Sequence, residues 1–216
     1  MDLYYGRNSG NSARAVFCLA EAGAGWTPRL VDPRAGENRS AAYLAINPMG
    51  KIPALVDGAL HLWESNAINW YVAERHPASR LLPSSPEGRA RVLRWLFFQS
   101  AHVSPACAQV FRSTNAMMQA YWGTRPDPAA LEQGRRELGR YLPVLEEALD
   151  GRDWLEGELT LADLAYLPHL SFVAEGGFDL GPYPRTRAWL DRLAARPAWR
   201  RTRELVFGEP SAERAG

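Results

Sequence analysis

Residues 47–55 read Asn-Pro-Met-Gly-Lys-Ile-Pro-Ala-Leu, and Lys51 is the only lysine of the chain, the other twenty-four basic side chains being arginine. An ammonium and a planar guanidinium do not substitute freely, so a lone lysine marks a point cation with a specific task. Asn47-Pro48 and Met49-Gly50 signal a tight connection, and Ile-Pro-Ala-Leu-Val reads as a strand opening at Pro53. A proline cannot continue a ladder, which leaves the Ile52 backbone groups open to pair with an extended molecule. A second pattern is Glu64-Ser65. Ser65 is expected at a helix N-cap, where free main-chain N–H groups suit a carboxylate, and Glu64 beside it suits an ammonium. Together they offer partners for both ends of an amino-acid zwitterion. The third is the loop Arg7-Asn8-Ser9-Gly10-Asn11-Ser12, which sets hydroxyl and amide donors just ahead of a helix. Each pattern taken singly also fits an ordinary turn or cap.

These residues need elements to hold them. Asp2-Leu3-Tyr4-Tyr5 predicts a first strand ended by Gly6, and Ala13 to Ala22 a helix with Val16, Leu19 and Ala20 on its apolar face. Cys18 is expected on that apolar side, as inert core. Thr27 to Val31 reads as a second strand, Ala35 to Arg39 as a loop and Ala41 to Ile46 as a short helix. Ile52 to Val56 and His61 to Trp63 form two strands joined by Asp57-Gly58, a strong hairpin signal. Ser65 to His76 is a helix stopped by Pro77. The order is β-α-β-α-β-β-α, followed by a Pro/Ser-rich stretch, Pro77 to Pro86, that marks a domain boundary.

Strand signals vanish beyond that boundary. Glu87 to Tyr121 reads as one long helix with Val92, Leu93, Leu96 and Phe97 on its apolar stripe and a kink at Pro105. Pro128 to Leu149, Thr160 to Val173, Tyr183 to Ala195 and Ala198 to Phe207 are further helices. Thr160 and Asp163 have the spacing of a capping box, a structural role. The domains expected are residues 1–76, a linker 77–86, a helical domain 87–208 and a poorly ordered tail 209–216.

Composition narrows the function. A net charge of +1 leaves no electrostatic footprint for nucleic acid or an anionic membrane. No apolar run approaches the ~20 residues of a membrane span, and the N-terminus lacks the apolar core of a signal peptide. The two cysteines, Cys18 and Cys107, are far apart and not in a CxxC pair, which argues against a disulfide framework, a zinc site and a dithiol redox motif. A cytoplasmic protein is the default expectation, and the Arg-over-Lys, Ala-rich bias suggests a bacterial source.

A small α/β domain with a strand-opening proline, followed by an all-helical domain, resembles the glutathione transferase superfamily. Four pieces carry the resemblance, in family order, over residues 2 to 207. Leu3-Tyr4-Tyr5 with its Ser/Asn-rich loop is similar to the first strand and active-site loop. The stretch from Tyr43 through Asn47-Pro48-Met49-Gly50-Lys51-Ile52-Pro53 resembles the glutathione backbone site, where the proline is cis. Leu62-Trp63-Glu64-Ser65-Asn66 resembles the γ-glutamyl site. Leu161-Ala162-Asp163-Leu164-Ala165 resembles a helix-start motif of the C-terminal domain. The Ser-x-Asn loop spacing is closest to bacterial members, of the nu- and theta-like classes.

The resemblance implies a thioredoxin-like N-terminal domain, an all-α helical-bundle C-terminal domain, and glutathione as co-substrate without a metal. It places the cysteinyl part against Ile52 and Pro53, the γ-glutamyl group at Glu64 and Ser65, and the glycyl carboxylate toward Lys51 and Asn38. Asn38 stands where related sequences often have a histidine, so Arg39 is an alternative. A free thiol has a pKa near ~8.5, and hydroxyl or amide donors at a helix N-terminus lower it. Ser9 and Asn11 are the expected thiol contacts, with Ser12 as the second choice of hydroxyl, one that also fits the cap of the first helix. Phe98, His102 and Val103, with Trp122, are candidates for a second-substrate pocket. The activity implied is transfer of glutathione to an electrophilic small molecule, in detoxification, by a cytoplasmic homodimer. The alternatives are a glutathione-dependent disulfide reductase or peroxidase, and a non-catalytic binding or regulatory member. A thioredoxin-type oxidoreductase is disfavoured because the loop has no cysteine.

Overall fold

The structure is a computed structural model, and it describes residues 1–208 apart from the side chains of Met117, Met118 and Trp122. The expected tail, 209–216, and the side chain of Trp122 therefore lie outside the described residues. The chain forms two units: residues 1–81 together with the segment from Arg196 onward, and Leu82–Ala195.

The first unit runs β1 (Asp2–Tyr5), α1 (Gly10–Glu21), β2 (Thr27–Leu30), a 3-10 turn (Glu37–Arg39), α2 (Ala41–Ile46), β3 (Ala54–Asp57), β4 (Leu60–Trp63), α3 (Ser65–Arg75) and a second 3-10 turn (Pro77–Ser79). The expected order of strands and helices is all present. The four strands lie in the order β2-β1-β3-β4. β1 is parallel to β2, which requires the α1 crossover, and antiparallel to β3, while β3 and β4 form the hairpin. Side chains alternate across the sheet. Leu3 and Tyr5 are buried on one face. On the other, Tyr4 packs edge-on to Tyr43 of α2, with ring centroids 6.0 Å apart.

The second unit contains α4 (Pro86–Phe98), a π-helical turn (Gln99–Val103), α5 (Ser104–Thr114), α6 (Ala116–Trp122), α7 (Pro128–Ala148), α8 (Leu161–Leu164), α9 (Leu167–Glu175) and α10 (Pro184–Ala194). The single helix expected over 87–121 is thus three helices. Pro105 lacks an N–H, and the widened π turn just before it absorbs the missing bond. Asn115 is extended, at φ −95° and ψ 102°, and ends α5. The helix expected over 160–173 is split into α8 and α9, with Pro168 in the first turn of α9. α5 packs against both α7 and α9.

Asp163 is the polar centre of this unit. It is fully buried, and its carboxylate accepts from Leu155 N (2.9 Å), Thr160 N (2.9 Å), Thr160 Oγ1 (3.3 Å) and Trp189 Nε1 (3.0 Å). Thr160 and Asp163 form the expected capping box. Burial outweighs the four bonds and pushes the Asp163 carboxyl up to about 6.

The last helix, α11 (Pro197–Phe207), differs from expectation in its allegiance. Read as part of a helical domain ending at 208, it instead packs on α1 of the first unit. Phe17 and Trp199 meet edge-on at 5.3 Å, Glu21 pairs with Arg196, and Asn8 N donates to Val206 O at 3.0 Å. With α3 and α11 both packed on it, α1 is buried continuously from Ser12 to Leu19.

Among the described residues no helix is long and apolar enough to cross a membrane, and no group of three or more His, Cys, Asp or Glu is placed to hold a metal ion.

Candidate functional site

The loop after β1 is set by two serines with separate tasks. Ser9 is the N-cap of α1, at φ −117° and ψ 114°, and its Oγ accepts from Ser12 N at 3.2 Å. Ser12, expected as a possible cap, lies one turn inside the helix. It is fully buried, and its Oγ accepts from Gly6 N at 3.1 Å, so this hydroxyl pins the loop from below. A hydroxyl has one proton and two lone pairs. Ser9 uses a lone pair for the cap and keeps its proton for an outside acceptor. Helix geometry leaves the N–H groups of Gly10 and Asn11 without intrahelical partners. The Asn11 side chain is exposed in that same first turn. The end of α1 thus offers a half-buried hydroxyl, two amides and the positive pole of the helix to an anion. The loop holds no thiol, and burial pushes the Cys18 thiol up, so that cysteine is inert.

The Ile52–Pro53 peptide is cis. The turn before it is held from inside the fold. Tyr43 Oη and Asn47 Nδ2 each donate to the Lys51 carbonyl at 2.6 Å, and Asn47 Oδ1 accepts from Met49 N at 3.0 Å. Burial pushes the Tyr43 hydroxyl up to about 12, so it stays a donor at neutral pH. Asn38 Nδ2 donates to Gly50 O at 2.7 Å. One of the two N–H groups of the Asn38 amide is therefore used on the turn. Gly50 has a φ of 60°, and a methyl there would meet Asn38 O at 2.9 Å and Arg39 Nη1 at 3.0 Å. The Arg39 guanidinium thus lies on the turn that carries Lys51, and both side chains are exposed. Ile52 reaches across to Gly6, where a methyl would meet Ile52 Cδ1 at 2.0 Å.

At the third corner the helix start is shifted by one residue from expectation. Glu64, not Ser65, is the N-cap of α3, at φ 68° and ψ 112°, and its carboxylate caps nothing. A bulky residue held there is strained, a feature that clusters at ligand-binding positions. Glu64 is exposed, while Ser65 is buried in the first turn. Arg14, on α1 and 3% exposed, donates from Nη1 to Ser65 Oγ (3.0 Å) and to Asn66 Oδ1 (3.4 Å). The N–H groups at the start of α3 have no intrahelical acceptors.

Gly6 and Arg14 were not picked out from sequence as residues that shape the site, and Tyr43 and Asn47 stood within the recognised stretch without the role of donors to the Lys51 carbonyl. The signal for Gly6 was its place between strand and loop. Arg14 had none, since an arginine in an amphipathic helix reads as solvated.

In the second unit Phe98, His102 and Tyr141 form a triangle of rings, with centroids 5.5 to 5.7 Å apart. His102 is exposed and Phe98 half-buried. Val103 is fully buried in the π turn, so it packs in the core of this unit rather than lining an open surface.

Comparison with known proteins identifies the family of this fold. The glutathione S-transferase N-terminal domain profile matches residues 1–74, and the C-terminal domain profile matches residues 104–197. Glutathione S-transferase F14 of Arabidopsis thaliana is 31% identical, over 94% of this chain and 82% of its own length. The disulfide-bond oxidoreductase YfcG of Escherichia coli is 32% identical, over 92% of each chain. Glutathione transferase F2 of Populus trichocarpa superposes with a TM-score of 0.86 at 25% identity, covering 94% of this chain and 97% of that one. Glutathione transferase URE2P6 of Phanerochaete chrysosporium, solved with oxidised glutathione, has a TM-score of 0.82 at 29% identity, covering 94% of each chain. The chain belongs to the glutathione S-transferase family. The narrower likeness to nu- and theta-like bacterial classes is not supported, several of these relatives being plant proteins.

Proposed function

We propose that the three corners of the first unit bind one molecule of glutathione and that the Ser9 hydroxyl holds its sulfur as the thiolate. The protein is a glutathione transferase, with glutathione as co-substrate. The observation that carries the assignment of roles is the division of labour between the two loop serines. Ser12 is buried under Gly6, whereas Ser9 keeps a free proton beside the open amides of α1.

The γ-glutamyl end belongs at α3. Its carboxylate meets the free N–H groups and the Ser65 hydroxyl, and its ammonium meets Glu64. The cysteinyl backbone pairs with the Ile52 N–H and C=O, which Pro53 leaves outside the ladder. The glycyl carboxylate is met by Lys51 and Arg39. Asn38 supports that corner by fixing Gly50 with one N–H of its amide, and the second N–H is left to face the ligand. The thiolate, stabilised by a hydroxyl, the amides and the helix pole, attacks an electrophilic carbon. The C–S bond forms as the leaving group departs with its electron pair, or as the electrophile's double bond takes the pair up. Phe98 and His102, with Tyr141, are the proposed contacts for that second substrate. The disulfide-reductase reading has the Ser-x-Asn loop and the similarity to the E. coli oxidoreductase in its favour. The transfer reading stands first because family and site both centre on holding one thiolate.

The same proposal includes a cytoplasmic homodimer, with detoxification of electrophiles as its setting. Leu93 and Phe97, one turn apart on α4, are exposed apolar side chains suited to a subunit interface. The test of function is conjugation of reduced glutathione to activated haloarenes and α,β-unsaturated carbonyls, followed spectroscopically. Turnover above the uncatalysed rate, lost in Ser9→Ala, is expected; turnover unchanged in Ser9→Ala would remove Ser9 from the reaction.

A further inference from the structure

Arg14 ties together the two helix ends that the proposed site uses. It is the fifth residue after the Ser9 cap of α1, and its guanidinium is turned inward, Nη1 donating to Ser65 Oγ at 3.0 Å and Asn66 Oδ1 at 3.4 Å. Asn69 of α3 answers from Nδ2, which donates to the Arg14 carbonyl at 3.4 Å. One residue of the helix that starts at the thiol loop is therefore bonded, by side chain and backbone, to the helix that starts at Glu64 and Ser65.

This geometry has two chemical consequences. Once the Arg14 cation occupies a lone pair of Ser65 Oγ, the hydroxyl proton is directed elsewhere, and the charged neighbour makes it a stronger donor. Side chains of a helix lean toward its N-terminus. With a rise of about 1.5 Å per residue, the Arg14 backbone stands roughly 7.5 Å along the axis from Ser9, and its side chain returns part of that way. A unit charge at such range in a partly buried site moves a thiol pKa by about one unit.

We propose that Arg14 is a positioning residue for glutathione, acting through Ser65 and Asn66 on the γ-glutamyl group and through its charge on the thiolate. This rests on the glutathione site assigned above. Arg14 makes the protein selective for γ-glutamyl thiols, because it aims the hydroxyl that recognises the γ-glutamyl carboxylate.

The experiment compares the unmodified protein with Arg14→Met, Arg14→Lys and Asn66→Ala. Each is assayed for kcat and KM with glutathione and with cysteinylglycine, which lacks the γ-glutamyl group, and across pH. The unmodified protein is expected to favour glutathione. Arg14→Met should lose about tenfold in kcat/KM for glutathione, equivalent to about 1.4 kcal/mol, and little for cysteinylglycine, so selectivity collapses. Its pH profile should shift upward by about one unit. Arg14→Lys keeps the charge, so it should keep the pH profile while losing selectivity. A folded Arg14→Met with unchanged selectivity and profile overturns the proposal. If Arg14→Met does not fold, unchanged selectivity in both Arg14→Lys and Asn66→Ala overturns it. Failure of the unmodified protein to use glutathione at all removes the site assignment itself, a result distinguishable from loss of the Arg14 role alone.

Discussion

Gly6 and Ile52 provide a quantitative probe of how the thiol loop and the turn before Pro53 are held together. A methyl group on Gly6 would stand 2.0 Å from Ile52 Cδ1, 3.4 Å from Ile52 Cγ1 and 3.3 Å from the Val31 carbonyl oxygen. Carbon atoms in contact sit about 3.5–4.0 Å apart, so Gly6→Ala forces the tip of Ile52 aside by roughly 1.5 Å. Overpacking of this kind costs about 1–3 kcal/mol. The loss of chain freedom in the unfolded state returns about 0.4–1 kcal/mol, since Gly6 does not have a positive φ. Ile52→Val alone removes the offending Cδ1 and costs about 0.5–1.5 kcal/mol. In the double variant the remaining contacts are close but tolerable, so its cost should match Ile52→Val alone. The cycle predicts a coupling of about 1–2 kcal/mol, read from urea unfolding of the four proteins. Glutathione affinity should follow the same pattern, about tenfold weaker in Gly6→Ala and largely restored in the double variant. Additive costs in stability would refute the close approach of Gly6 and Ile52. Coupled stability with additive affinities would refute the role of Ile52 in holding the ligand.

Other outcomes follow from single residues. Ser9→Ala should raise the pKa of bound glutathione by about 1–2 units, because a hydrogen bond to a charged group is worth about 1.5–3 kcal/mol; titration of thiolate absorbance in the complex reads this, and an unchanged value would move the role to Asn11. Asp163→Asn should cost about 2–4 kcal/mol, because either orientation of the amide sets its NH₂ against an N–H donor. The Asp163 carboxyl sits near 6 in the fold against 3.8 for the free group, so its contribution is full below pH 4 and lost as pH rises through about 6. The penalty for Asp163→Asn should therefore be largest near pH 4 and shrink by pH 7, and urea midpoints that diverge with rising pH would contradict this. Phe97 is 67% exposed on α4, and Phe97→Glu should yield monomers by sedimentation; an unchanged mass would place any interface elsewhere.

How legible each feature was in the sequence depends on how local its cause is. Pro53, Lys51 and the Glu64-Ser65 pair stand out because turn chemistry and spacing are written within a few residues. The succession of strands and helices along the first unit followed from period and punctuation alone, whereas the β2-β1-β3-β4 order within the sheet did not. The shift of the α3 cap from Ser65 to Glu64 was not visible, since a glutamate gives no local sign that its φ is 68°. Arg14 pairs with residues 51 and 52 positions away, and nothing local separates a buried arginine from a solvated one. Amphipathic pattern located α11 but could not say that its apolar face belongs on Phe17 of α1. Pro105 signalled a disturbance in the long helix, yet pattern does not distinguish a kink from an inserted π turn.

Calorimetric titration of the protein with reduced glutathione, repeated with glutathione disulfide, addresses the central assignment most directly. A single site per chain with sub-millimolar affinity for the reduced form (stronger than about −4 kcal/mol), and weaker binding of the disulfide, is the predicted result. Tighter binding of the disulfide would shift the assignment to disulfide reduction, and the absence of binding to either form would contradict the proposed site.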